Sequence, residues 1–339
     1  MNPSSKLSLQ QLAEKLGFAK STVSMALRND MRVAAETRSI IQEAAVKLGY
    51  VADADLACMM AQIQVRKKKS YQANLAIFPI TTTTVSRRQL EGCRNRAEEL
   101  GYKVDLIEDY ATCSNPVKLM EARGIRGAIF IGWPWREFPF AYPGLKRVCN
   151  SFPCAVVAAR PQDPPMNSVM SDALTSMRLA VTSLMQLGYK RPAAFINPYL
   201  DNLLDQSYTG AFLTMQRNLT RPDRLAPVFI TEDKKRAIEY VRKHKPDCIL
   251  THDSYLLEVL KTCGCRVPED IGYAHLDLHH EHRKLGVSGI DQNHHLLGEA
   301  AVDMVVAQIH RSEFGAPAIQ KCVLIEGRWE NGKTTRMQG

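Results

Sequence analysis

The sequence predicts a small all-α headpiece followed by a larger α/β body built on doubly wound parallel sheets. Two observations predict it. Within the first fifty residues, apolar positions recur at helical spacing in three short runs. After residue 72, continuous apolar runs of five to seven residues alternate with amphipathic stretches. That is the pattern of parallel strands buried on both faces and joined by helical crossovers. At 339 residues the chain has room for two to three ordinary domains.

The first helix is expected over "LSLQQLAEKLG", where Leu9, Leu12, Ala13 and Leu16 share one face. Ser8 and Gln11 have capping-box spacing, and Gly17 ends the helix because it turns the backbone at low steric cost. A second helix near 20–27 should bury Val23 and Leu27. A third near 36–48 should bury Ile40, Ile41, Ala44 and Leu48. Two short helices joined by a tight glycine turn make a helix-turn-helix, whose second helix fits a DNA major groove. Lys20 and Ser21 stand at its tip, within reach of base edges. Thr22 and Ser24 can donate to phosphate oxygens and Arg28 adds charge. From the pattern alone, a three-helix bundle used for protein contacts is the alternative.

Residues 51–69 then form a connector ending in the cation run Arg66-Lys67-Lys68-Lys69, which either meets a DNA backbone or is merely solvated. Expected strands follow at 73–78, 103–108, 127–132, 154–159, 193–197, 226–230, 247–251 and 271–277. Helices are expected at 86–100, 172–188, 205–219, 233–245, 254–263 and 294–311. The proline-rich stretch 160–171 reads as a crossing between two lobes. The domain plan is therefore 1–50 headpiece, 51–70 hinge and linker, and 71–339 two-lobed body.

The net charge is +9, and the first 69 residues, with 11 Lys or Arg against 6 Asp or Glu, supply +5 of it. That asymmetry points to a polyanion partner for the N-terminal part. No run of eighteen apolar residues implies a membrane span, and the first residues lack a signal core, so a cytoplasmic location is expected. Nine scattered cysteines with no CxxC pair read as reduced, buried thiols. No P-loop, GxGxxG or GxSxG motif occurs, so no enzyme activity and no cofactor are expected. All nine histidines lie between 244 and 310, but none pair at metal-ligand spacing within one expected helix, and 279–282 reads as loop. No metal is expected.

"LAEKLGFAKSTVSMALRND", followed by "VAAETRSIIQEAAVKLGY", resembles the headpiece of the LacI/GalR family of bacterial transcription regulators. "LGYKRPAAFI", "VPEDIGYAHLD" and "IDQNHHLLGEAAVDMVVAQI" resemble later segments of the same family, so the resemblance spans nearly the whole chain. It implies a body like the periplasmic sugar-binding proteins and a dimer on a near-palindromic double-stranded DNA operator. It also implies modulation, usually repression, by a small effector such as a sugar held between the lobes. The competing function is a cytoplasmic small-molecule-binding or enzymatic protein whose headpiece contacts other proteins.

Carried over residue by residue, the resemblance makes Lys20, Ser21 and Met25 base-facing. It makes Ser8, Thr22, Ser24, Arg28 and Thr37 phosphate-contacting, and Met59 the hinge residue that wedges into the minor groove. Met25 departs from a common arginine and would suit a thymine methyl. Ala19 and Ala34 stand where the family usually has hydroxyl helix caps, which predicts a marginal headpiece. The effector pocket should lie beyond the carboxyl ends of the strands. The resemblance supports His252, Asp277 and His294 there, with Asp277 suited to polyol hydroxyls. Asp172 and Asp253 are either pocket residues or helix N-caps. Ser207 occupies the place of the family's sugar-binding arginine, so an ordinary sugar mode is not expected. Trp133 and Trp135 either stack on a ligand or pack a lobe edge.

Overall fold

The computed structural model describes residues 7, 9–27, 30, 32–48, 72–80, 82–109, 113–132, 143–217, 228–229 and 233–338. Ser8, Arg28, Met59, Trp133, Trp135, the cation run and the 51–70 connector lie outside them.

Three helices come first: α1 (Leu9–Leu16), α2 (Lys20–Leu27) and α3 (Ala35–Lys47). Gly17 turns the chain between the first two at φ +68°. They enclose a small core of Leu12, Ala13, Val23, Ala26, Val33, Ile41 and Ala45. Gln42 of α3 donates to the carbonyl of Ala26 at 2.9 Å, satisfying one of α2's terminal acceptors. Ala34 at the N-cap of α3 supplies no side-chain hydrogen bond. The expected inner face of α3 is corrected by one residue. Ile41 and Ala45 point inward, while Ile40 and Leu48 are 57% and 42% exposed. With Ile40 and Ile41 adjacent, the apolar pattern fits two phases and packing against Val23 and Ala26 selects one.

The body holds two sheets of six described strands each, and the order within each sheet follows the chain only in part. The first sheet runs β11-β5-β4-β3-β1-β2, with β1 (Asn74–Pro79), β2 (Lys103–Leu106), β3 (Ile125–Ile131), β4 (Cys154–Val157), β5 (Asn167–Ser171) and β11 (Cys322–Ile325), all parallel. The second runs β12-β10-β9-β8-β6-β7, with β6 (Pro192–Ile196), β7 (Val228–Phe229), β8 (Cys248–Thr251), β9 (Gly272–His275), β10 (Ser288–Asp291) and β12 (Arg328–Glu330). Only the β10–β12 pair is antiparallel. Strand residues alternate between two buried faces: Leu75 and Ile77 enter one core, Ala76 and Phe78 the other. The second sheet is likewise covered on both sides.

The chain passes between the lobes three times: from β5 into helix α7 (Ala173–Gln186), from β10 into helix α13 (His294–Arg311), and from β11 to β12. The expected crossing at 160–171 is thereby corrected. Asn167–Ser171 is a strand of the first sheet, and the crossing falls after it. Asn167 and Ser168 disguise a strand that is nonetheless buried, with Asn167 Oδ1 accepting from the amide of Lys321 at 2.9 Å. The expected strand 271–277 ends at His275, and His280–Lys284 is a short helix (α12) where a loop was expected. The helix α4 (Thr84–Glu99) comes close to the backbone of α13 at Gly92. A Cβ on Gly92 would stand 2.0 Å from the carbonyl oxygen of His295.

Candidate functional site: a histidine-rich recess between the lobes

The recess lies beyond the carboxyl ends of β8, β9 and β10, where open parallel sheets place ligands. Each strand delivers one or two polar residues there. His252 follows β8, Asp277 lies two residues past β9, and Gln292 and Asn293 follow β10 and lead into His294. From the other edge come Asp201 in helix α8 (Pro198–Leu203) and Tyr208 in helix α9 (Ser207–Gln216).

Of the five expected effector residues, the structure brings His252, Asp277 and His294 into one cluster. His294, 4% exposed, bonds Asp277 Oδ1 and Oδ2 through Nε2 at 2.8 and 3.0 Å. Its other nitrogen, Nδ1, lies 3.4 Å from Nε2 of Gln89, a buried residue of α4 in the first lobe. Burial raises the Asp277 pKa, but the His294 hydrogen bond and the facing imidazoles outweigh it, leaving the carboxyl at about 2. Asp277 keeps 20% of its side chain exposed.

Four more imidazoles surround this pair. His275 stacks on His282 at 3.9 Å between ring centroids, His282 lies 5.2 Å from His279, and His279 6.4 Å from His294. His252 sits 6.4 Å from His275 and meets Tyr208 edge-on at 4.6 Å. Backbone amides fix two of the tautomers. Asp277 N–H donates to His275 Nδ1, and His279 N–H donates to His282 Nδ1, both at 3.1 Å. His282 therefore donates from Nε2 to Ser254 Oγ at 2.8 Å. His275 presents an Nε2–H that finds no acceptor, and His252 Nδ1 is also buried without a partner. Burial pushes His252 down to about 4 and His275 to about 3, so both rings are uncharged at neutral pH. Burial likewise lowers His282.

Ser207 and Asp172 have local duties. Ser207 Oγ donates to the carbonyl of Leu204 at 2.5 Å. Asp172 N-caps α7, accepting from the amide of Thr175 at 2.9 Å. Asp253 caps no helix: the neighbouring helix α11 (Leu256–Thr262) has Tyr255 at its N-cap, without a side-chain hydrogen bond. Burial raises the Asp253 carboxyl to about 6.

Residues that sequence reasoning missed complete the recess. Buried Asp201 accepts from the amides of Tyr208 and Thr209 at 3.1 and 3.2 Å and from the Thr209 hydroxyl. Gln292 donates to Leu276 O at 2.6 Å and to the Tyr208 hydroxyl at 3.2 Å, and accepts from Ser176 Oγ at 3.1 Å. Asp201 sits inside "PYLDNLLDQS", where nothing marks one aspartate over the other. Gln89 lies about 200 residues from His294 in sequence, and only the fold brings them together.

In the headpiece, Lys20 and Ser21 are exposed at the start of α2, while Thr22, Ser24 and Thr37 are half-buried. Met25 packs partly against the three-helix core.

Comparison with solved structures decides the architecture. The Lac repressor dimer bound to operator and the anti-inducer ONPF superposes with a TM-score of 0.57, at 19% identity, covering 98% of this chain and 99% of that one. The fold is that of the LacI-type regulators. A LacI transcriptional regulator from a Rhodococcus species gives a TM-score of 0.60 at 20% identity, over 78% of this chain and 98% of its own. The transcriptional regulator CelR in complex with cellobiose gives 0.53 at 17% identity, over 96% and 99%. No family model and no curated protein sequence matches the chain. Among the described residues, no helix is long and apolar enough to cross a membrane, and no group of three or more His, Cys, Asp or Glu is arranged to hold a metal ion.

Proposed function

We propose that the protein is a sequence-specific DNA-binding transcription regulator, acting as a dimer on a near-palindromic operator and modulated by a small molecule in the interlobe recess. One observation carries this reading above the rest. Val23 and Ala26 anchor α2 in a packed headpiece, while Lys20 and Ser21 at its N-terminal tip stay exposed. A recognition helix needs that division, because its first residues meet base edges while its inner face holds the angle of entry. The shared fold supports it, since one neighbour is bound to operator and another to cellobiose.

Lys20, Ser21 and Met25 then face bases. Ser8, Thr22, Ser24, Arg28 and Thr37 face phosphates, and Met59 wedges at the hinge. His252, Asp277 and His294 line the effector site, with Ser207 and Asp172 at its rim. Repression follows if the effector changes the relation of the lobes, and hence of two headpieces, by binding one state more tightly than the other.

The test is mobility shift on genomic fragments at stated salt. A regulator prefers its own site over bulk DNA by about 10³-fold or more. Absence of any preferred fragment at every salt concentration contradicts the reading.

A further inference from the structure

We propose that the outward face of helix α10 (Lys234–His244), on the second lobe, is a second contact surface for duplex DNA, one that binds the phosphate backbone without regard to sequence. It goes beyond the headpiece reading and stands or falls separately from it.

Positive charge is concentrated on this helix. Of the net +9, the first 69 residues supply +5 and leave +4 to residues 70–339. Residues 234–245, "KKRAIEYVRKHK", hold six Lys or Arg against one Glu, a net +5. The remainder of the body is close to neutral, at −1. The chain leaving the headpiece enters the first lobe through β1, so the cluster belongs to the other lobe.

Packing decides which face is free. Ala237 and Val241 are buried, and Ile238 and Tyr240 pack against the same core. Lys235, Arg236, Arg242 and Lys243 are exposed, as is Lys245 just past the helix. Lys235 and Arg242 are seven residues apart, and so are Arg236 and Lys243, so each pair repeats along one side at about 10 Å. At the C-terminal end Arg191 donates to the carbonyl of His244 at 2.7 Å, and Lys190 beside it in sequence is exposed.

Neither helix stability nor ion pairing accounts for the cluster. The helix dipole favours Arg242 and Lys243 in the last turn. It disfavours Lys234, Lys235 and Arg236 in the first turn, which Asp233 caps but where no acid stands. Lys234 pairs with Glu258 at 2.9 Å. Among the described residues, the side chains of Lys235, Arg236, Arg242, Lys243 and Lys245 form no ion pair. Every exposed position from 234 to 245 is charged, Glu239 being the single acid, and none is apolar. Protein interfaces centre on apolar and aromatic groups and are poor in lysine. A phosphate backbone asks only for cations.

Lysine footprinting of the full-length protein tests this. Acetylation by an N-hydroxysuccinimide ester is read at each lysine by mass spectrometry, with and without mixed-sequence duplex DNA. The expected result is several-fold slower acetylation of Lys235 and Lys243 with DNA at low salt, lost at high salt, while exposed Lys118 and Lys321 of the first lobe are unchanged. Replacing Lys235→Gln, Arg242→Gln and Lys243→Gln together should reduce the slope of log affinity against log salt for the same duplex by about two to three. If that variant fails to fold, the wild-type footprint still decides. No protection of Lys235 and Lys243, equal protection of Lys118 and Lys321, or an unchanged salt slope each overturns the proposal. Protection by polyglutamate or by phosphatidylglycerol vesicles but not by DNA assigns the face to an acidic protein or a membrane, and overturns it too. None of these results touches the headpiece reading, which is tested by a preferred DNA site.

Discussion

A Cβ built on Gly298 would lie 2.0 Å from the carbonyl oxygen of Gln89. This contact sets the distance between α13 and α4, the helix that carries Gln89 to His294. Alanine in place of glycine gains about 1 kcal/mol of helix preference. Overpacking against backbone costs about 1–3 kcal/mol or more, because no flexible side chain can move aside. Overpacking wins. Gly298→Ala should lower stability in urea unfolding, and Gly92→Ala, the reciprocal contact against His295, should do the same. An unchanged urea midpoint for both would show that the helices do not meet this closely.

Acid should unfold the protein through its buried imidazoles before its carboxylates. His252 and His275 have folded pKa values of about 4 and about 3, below the ordinary value of 6.5. Below pH 6.5 the unfolded chain therefore binds protons that the native state refuses, and stability falls with pH from there to about 3 to 4. Asp277, held at about 2, adds a second loss, which begins only as pH drops below its ordinary value of 3.8. Urea midpoints measured from pH 7 to pH 4 should fall steadily. His275→Gln should flatten that fall while leaving the acid-most part to Asp277. A midpoint independent of pH across this range would contradict the buried, neutral assignment.

Asp201 should matter for folding more than any other carboxylate of the recess. Asp201→Ala strands two amides and a hydroxyl at the start of α9, at a cost of about 2–3 kcal/mol. Asp201→Asn keeps an acceptor and should recover part of it. Thermal unfolding of the two variants checks the order. Equal stability of Ala and Asn would mean that water replaces the carboxylate.

Arg28→Ala tests the phosphate-facing half of the headpiece assignment. It should weaken binding to every duplex alike and reduce the salt slope by about one. A shift in base preference instead would place Arg28 in the groove.

Much of this architecture is legible in the sequence. The strand runs and long helices follow from apolar patterning, because strands such as "ANLAIF" and "GAIFIG" are buried on both faces. What escaped reading lacks that pattern. Strand β10 carries Ser288 and Asp291, whose polar groups are buried and satisfied by a tertiary hydrogen bond and an ion pair. The short helix around His280 hides in a run of histidines and charges. In the recess, His252, Asp277 and His294 follow from their places at strand ends and from family resemblance. Gln89 and Asp201 do not, because each gains its role from partners that only the fold supplies. The helical repeat in α3 is ambiguous by one residue because Ile40 and Ile41 are adjacent.

The central claim is that the tip of α2 reads DNA. Binding-site selection from random duplexes with the wild-type protein and with Lys20 and Ser21 variants tests it most directly. The account predicts a near-palindromic consensus, and that substituting Lys20 or Ser21 changes the preferred base at the same position in both half-sites. An unaltered consensus, with affinity lowered equally for all sequences or not at all, would contradict it.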